Sequence, residues 1–153
     1  MPEDNKKKPA RTSLLIWDAE GEPPVGEWTP VLWRGFVSTD QPDAVSIPAL
    51  IETNADLLKK RYLAWVYELG ETSIQDKRLV EHLQLRSGYS YWWMTLFAEK
   101  CNYSKSKQID DAIRLMAFDE WATNQSISRV VLSTANQSLA ECIRLWCTNL
   151  GVV

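Results

Sequence analysis

Apolar residues come in short blocks at the two ends of this chain and in helical stripes between them. Near the start, Ser13-Leu-Leu-Ile-Trp17 is a continuous apolar run closed by Asp18-Ala-Glu-Gly21, the pattern of a strand buried on both faces. Gly21 to Pro30, with Pro23, Pro24 and Gly26, reads as a loop. Val31 to Val37 reads as a second, less regular extended piece, weakened by Gly35. Ser46 and Pro48 open a long helix whose apolar positions run from Leu50 through Leu58 to Leu69, with Gly70 as its stop. Glu71 to Gly88 is polar and holds at most a short helix near Leu79 to Leu83. Ser90 is expected to cap a helix bearing Tyr91, Trp92, Trp93, Leu96 and Phe97, apolar on more than one side.

A helix from Ser106 places Ile109, Ala112, Ile113, Met116, Ala117 and Trp121 on one face, with Asp110 and Asp111 in the first turn where the dipole favours acids. Arg129 to Ala135 is a second strand of the fully buried type. Asn136 caps a last helix with the stripe Leu139, Cys142, Ile143, Trp146 and Leu150, and Gly151 ends it. A further buried strand is expected to begin at Val152-Val153. Strand, helices, strand, helix predicts an α/β fold: a partial Rossmann-like parallel sheet with a helical insertion. Residues 1–12 form a polar tail, and 13–153 one incomplete α/β domain with the insertion at about 46–125.

Composition narrows the function classes. At 153 residues, 45% hydrophobic and 24% charged, the chain suits one globular domain. A net charge of −3 gives no field to gather nucleic acid, and Lys6-Lys7-Lys8 sits in a polar leader. No apolar stretch approaches the roughly 20 residues of a membrane span, and no secretory signal precedes Asp18. Cys101, Cys142 and Cys147 are odd in number without a C-x-x-C pair, as in a reducing compartment. Cys142, on the apolar stripe, reads as core. These features predict a cytoplasmic protein, reaching at most the inner face of the cytoplasmic membrane.

Glycine-rich dinucleotide and phosphate loops are absent, and the single histidine, His82, excludes His-pair zinc sites, so no metal and no bound cofactor are expected. Asp18 and Glu20 are the candidate catalytic carboxylates. They fall at the carboxyl end of the first strand, where open α/β sheets bind ligands, and could act as base and as partner to a sugar hydroxyl. The alternative is a turn in which Asp18 caps a neighbouring amide. Tyr91, Trp92 and Trp93 offer an aromatic wall, or else core packing. At least one ring is expected to face outward, because consecutive helical positions diverge by about 100°. Glu99 and Lys100 add charge beside that wall or form a solvated face. Lys105 with Ser106 at a helix start would make a small anion site.

Leu15-Ile-Trp-Asp-Ala-Glu-Gly-Glu-Pro-Pro24, Arg61-Tyr-Leu-Ala-Trp-Val-Tyr67, Leu85-Arg86 and Ser90-Tyr-Trp-Trp-Met-Thr95, with Glu99-Lys100 and Lys105-Ser106, resemble the amino-terminal part of a bacterial family. That family is the surface carbohydrate biosynthesis proteins of lipopolysaccharide O-antigen loci, regarded as glycosyltransferases. The likeness spans most of residues 13–135. It implies the acceptor-side half of a two-domain, glycosyltransferase-like fold, acting on a saccharide or lipid-linked saccharide acceptor. A nucleotide-sugar donor would be held by a carboxyl-terminal half that this sequence lacks, so that this part alone would be inactive. The alternative is a noncatalytic carbohydrate-binding or assembly module.

Overall fold

The computed structural model describes residues 12–39, 41–98 and 106–153. They form two compact units, one of the described residues up to 50 with 118–153 and one of those between 51 and 117. The second unit falls within the insertion expected at about 46–125.

The first unit is α/β. Strands β1 (Thr12–Asp18), β2 (Thr29–Leu32) and β3 (Val45–Ser46) are followed by helix α1 (Ile47–Thr53), which runs past the unit's edge. Late in the chain come the end of the helix α4 (Lys107–Ala122), then β8 (Ile127–Thr134) and α5 (Gln137–Leu150). All four strands pair in parallel in the order β3-β2-β1-β8, an order compatible with a Rossmann-like arrangement. β1 is central, and Leu14, Leu15 and Ile16 are buried on both faces, as its unbroken apolar run requires. Pairing with β2 stops early: Pro30 sits inside β2 and the chain leaves at Trp33, whose N–H donates to Trp17 O (2.9 Å). Val31 to Val37 is therefore not one extended piece.

β8 is only partly buried, contrary to the expectation of a fully covered strand, because it lies outside β1. Along its far side, Val130 N–H donates to Val153 O (2.8 Å) and Val153 N–H to Ser128 O (3.4 Å), the rung pattern of parallel pairing. Asn136 caps α5 by accepting from Leu139 N–H (3.2 Å). Leu139 and Ile143 are the buried positions of α5, whereas Cys142 is exposed and Leu150 largely so. Cys142 is therefore not core; the stripe that faces the sheet is narrower than the apolar pattern suggests. Trp33 and Phe118, both fully buried, meet edge to face, and Trp146 packs on Phe118 with ring centroids 4.9 Å apart.

The second unit is built from α2 (Ala55–Glu71), α3 (Leu79–His82), α4 (Lys107–Ala122, up to Ala117) and two small hairpins, β4 (Ser73–Ile74) with β5 (Lys77–Arg78) and β6 (Gln84–Arg86) with β7 (Tyr89–Ser90). The long helix expected from Ser46 is two helices. Ser46 Oγ does accept from Ala49 N–H, but Asn54 leaves helical backbone (φ −113°, ψ 23°) after Thr53. A β-branched residue followed by Asn is a weak point for helix propagation. The polar stretch from Thr72 onward folds because Gln75 and Asp76 both take positive φ (49° and 64°), the requirement of a two-residue hairpin turn. The helix expected after Ser90 is a single 3-10 turn, Tyr91–Met94. Thr95 ends it in extended backbone, its Oγ1 donating to Trp92 O (2.7 Å).

Candidate functional site

The carboxyl ends of the parallel strands frame a cavity of about 420 Å³ within the first unit, walled by Trp17, Asp18, Glu20, Leu32, Arg34 and Phe36 among others. In chain order the sheet grows from β1 to β2 and β3 on one side, and returns to add β8 on the other. The ends of β1 and β8 are thus where the order reverses, the place where open α/β sheets hold ligands. The cavity itself lies on the other side of β1, lined by the ends of β1 and β2 and the segments that follow them, and β8 reaches it only through the Thr134 bond to Asp18.

Asp18 is the last residue of β1 and Thr134 the last of β8, and they face each other in register. Thr134 Oγ1 donates to Asp18 Oδ2 (2.7 Å), and Arg34 Nε donates to Asp18 Oδ1 (2.6 Å). The Asp18 side chain is 4% exposed, that of Arg34 45%. A carboxylate this buried needs partners on both oxygens, and it has them. Asp18 therefore holds the guanidinium at the cavity wall and ties three strand ends together, and it does not cap a turn amide. Thr134 Oγ1 in turn accepts from Asn136 N–H (3.0 Å), which links the clamp to the start of α5.

Glu20 is exposed in the same cavity, two residues on. Gly21 lets the chain turn there with φ +79°, and the Trp17 indole N–H donates to Gly21 O (3.0 Å), fixing the turn against the sheet. The structure thus brings Asp18 and Glu20 together, and adds Arg34, Thr134 and Phe36. The signal for Arg34 lay in the Trp33-Arg34 step out of β2, an arginine directly after an apolar strand. Nothing local marks Thr134.

The aromatic residues divide. Trp92 is buried beside Tyr62, Val66 and Ile109, its ring stacked on Phe97 with centroids 6.5 Å apart. It is interior packing and no ligand surface, because the 3-10 turn sends its side chain under α2. Trp93 is half exposed and lines a shallow cavity of about 250 Å³ with Tyr89, Ser90, Arg78, Glu71 and Glu81. Arg78 is fixed there, donating to Glu71 Oε2 (2.8 Å) and to Glu81 Oε1 (2.8 Å from Nη2), and its hydrogen bond holds the Glu81 carboxyl below the usual range. Tyr91 is exposed outside that lining.

Ser106 precedes α4 and its Oγ accepts from Ile109 N–H (3.4 Å), so the helix start is already capped. Glu99, Lys100 and Lys105 lie outside the described residues. His82 is exposed and its Nε2 donates to Ile74 O (2.7 Å), a hairpin contact. Cys147 is half-buried and burial pushes its thiol up, away from thiolate chemistry. Among the described residues, no group of three or more His, Cys, Asp or Glu is placed to hold a metal ion, and no helix is long and apolar enough to cross a membrane. No protein-family model, curated protein or solved structure matches the chain.

Proposed function

We propose that this protein handles saccharides in surface carbohydrate assembly, in the acceptor-binding role of a glycosyltransferase with a Rossmann-like first unit. The observation that carries the reading is the cavity at the strand ends, with a clamped carboxylate–guanidinium pair, an exposed second carboxylate and an aromatic wall. Flat apolar faces suit the faces of a sugar ring, and planar charged groups suit its hydroxyls. The resemblance of the Asp18 and Ser90 segments to O-antigen biosynthesis proteins supports the same class.

Within this reading Glu20 is the base and Asp18 a positioning residue. The acceptor oxygen bonds to the anomeric carbon of a nucleotide sugar while the bond to the nucleoside diphosphate breaks, and the acceptor proton passes to the Glu20 carboxylate. Trp93 offers a separate stacking surface for a saccharide. The lipid-linked form of the acceptor belongs to the same proposal.

One observation favours a noncatalytic carbohydrate-binding module as the second reading: both Asp18 oxygens are already engaged. Titration of the chain with neutral oligosaccharides and nucleotide sugars, followed by saturation-transfer NMR, separates the cases. Glu20→Gln and Phe36→Ala should each weaken saccharide binding about tenfold, a loss of about 1.4 kcal/mol. Saccharide signals identical in both variants and the parent would remove the cavity from the proposal. Transfer from a nucleotide sugar to a bound saccharide would exclude the noncatalytic module.

A further inference from the structure

The second unit contains a groove that the saccharide reading does not use. Ile51, Leu58, Tyr62 and Ile113 form its apolar floor, and Lys59, Asp110 and Arg114 stand around it, enclosing about 320 Å³. That volume falls at the lower end of the roughly 300–1,000 Å³ of small-molecule sites, which are likewise mostly apolar with a few polar groups.

The charges are unequal. Arg114 Nη1 lies between Asp110 Oδ2 (3.2 Å) and Asp111 Oδ1 (3.5 Å), so this cation is compensated within the first turns of α4. Lys59 is exposed and enters no ion pair among the described residues. One further donor is unmet: Arg114 Nε is buried and has no acceptor among the described residues. A buried donor without a partner is destabilising and favours a ligand that supplies an acceptor. A small turn of the guanidinium toward an anionic headgroup would give it one. The apolar floor, the uncompensated cation and the arginine that carries the unmet donor all line one groove.

We infer that this groove binds a single-chain amphipathic anion, its alkyl chain against Leu58, Tyr62 and Ile113 and its headgroup at Lys59 and Arg114. Charge decides the class, because a neutral or cationic headgroup would leave Lys59 as it is or oppose it. The floor decides the chain, because it is apolar: Ile51, Leu58 and Ile113 are aliphatic, and Tyr62 adds its ring while its hydroxyl is engaged by Phe97 O (2.9 Å). The inference is independent of the strand-end cavity, which lies in the other unit.

The test uses the full chain and three probes with one alkyl chain and different heads: decanoate, decanol and decyltrimethylammonium. Isothermal calorimetry should rank them in that order, with decanoate at least tenfold tighter than the cationic probe. Lys59→Glu, an exposed position, should erase that preference and leave the fold intact by circular dichroism. Ala55→Phe, also exposed but on the groove's edge, should block all three probes. Equal affinity for the three heads, or decanoate binding unchanged in both variants, would overturn the inference.

Discussion

The two units solve the same problem, burying aromatic side chains in a small protein, by opposite means. In the first, order comes from residues far apart in sequence: β1 pairs with β8, and the bonds of Asp18 reach 16 residues to Arg34 and 116 residues to Thr134. In the second, the core of Tyr62, Val66, Trp92 and Ile109 is also assembled over distance, but the hairpin surface beside it is held locally. Two-residue turns, a 3-10 turn and the Arg78 pairs to Glu71 and Glu81 hold a surface on which Trp93, Met94 and Leu85 stay exposed. Long-range closure lets the first unit bury a charged side chain at a ligand cavity. Local closure leaves the second with open aromatic faces. Both are ways to present chemistry, the first by pinning it and the second by leaving it uncovered.

The sharpest break of this contrast is at Phe118, which is fully buried and touches Trp33, Trp121 and Trp146. Phe118→Ala should cost the first unit about 3–5 kcal/mol, as for large aromatic truncations in close-packed cores. Hydrogen exchange at the β1 amides is the readout. Protection unchanged within about 0.5 kcal/mol would mean that strand pairing, and not the aromatic cluster, holds the sheet.

Gly70 is the matching position in the second unit. A Cβ there would lie 2.7 Å from Trp92 Nε1 and 3.0 Å from Val80 Cγ1, so α2 passes the indole without room for a methyl group. Gly70→Ala gains about 1 kcal/mol of helix propensity but meets an overpacking cost of about 1–3 kcal/mol. The net expectation is a loss of up to about 2 kcal/mol with a shifted Trp92 emission. A gain in stability would show that the 3-10 turn yields easily, and that the second unit is softer than its packing implies.

Periodicity made the strands β1 and β8 and the helices α4 and α5 legible, because each is long enough for a repeat to show. The hairpins of the second unit were not. Each strand there has two or three residues, and the Gln75-Asp76 turn carries none of the glycine that usually announces positive φ. The same limit hid the local structure at Trp92 and Trp93: a helix was expected after Ser90, but Thr95 ends the turn after four residues. Asp18 was visible as a carboxylate closing an apolar run. Its partners were not, since Arg34 and Thr134 meet it only once the parallel sheet has formed. Cys142 was misjudged because an apolar stripe on α5 shows what can be buried, while the width of the sheet decides what is.

The smallest effect separates the units by pH. In the second unit the Arg78 hydrogen bond and charge hold the Glu81 carboxyl below its ordinary value, while Glu81 itself accepts from Arg78 N–H (3.0 Å) at the start of α3. A carboxyl lowered in the folded state contributes stability that is fully present above its unfolded pKa, about 4.3 for glutamate. That contribution is lost as pH falls through the folded value. Trp93, which shares the cavity with Arg78, should report the change as an acid-induced shift in emission confined to the region below about pH 4. Because the groups are exposed, the shift should shrink in high salt, and Arg78→Ala should remove it. An acid transition of Trp93 that persists in Arg78→Ala would place its origin elsewhere and deny that these ion pairs hold the aromatic face in position.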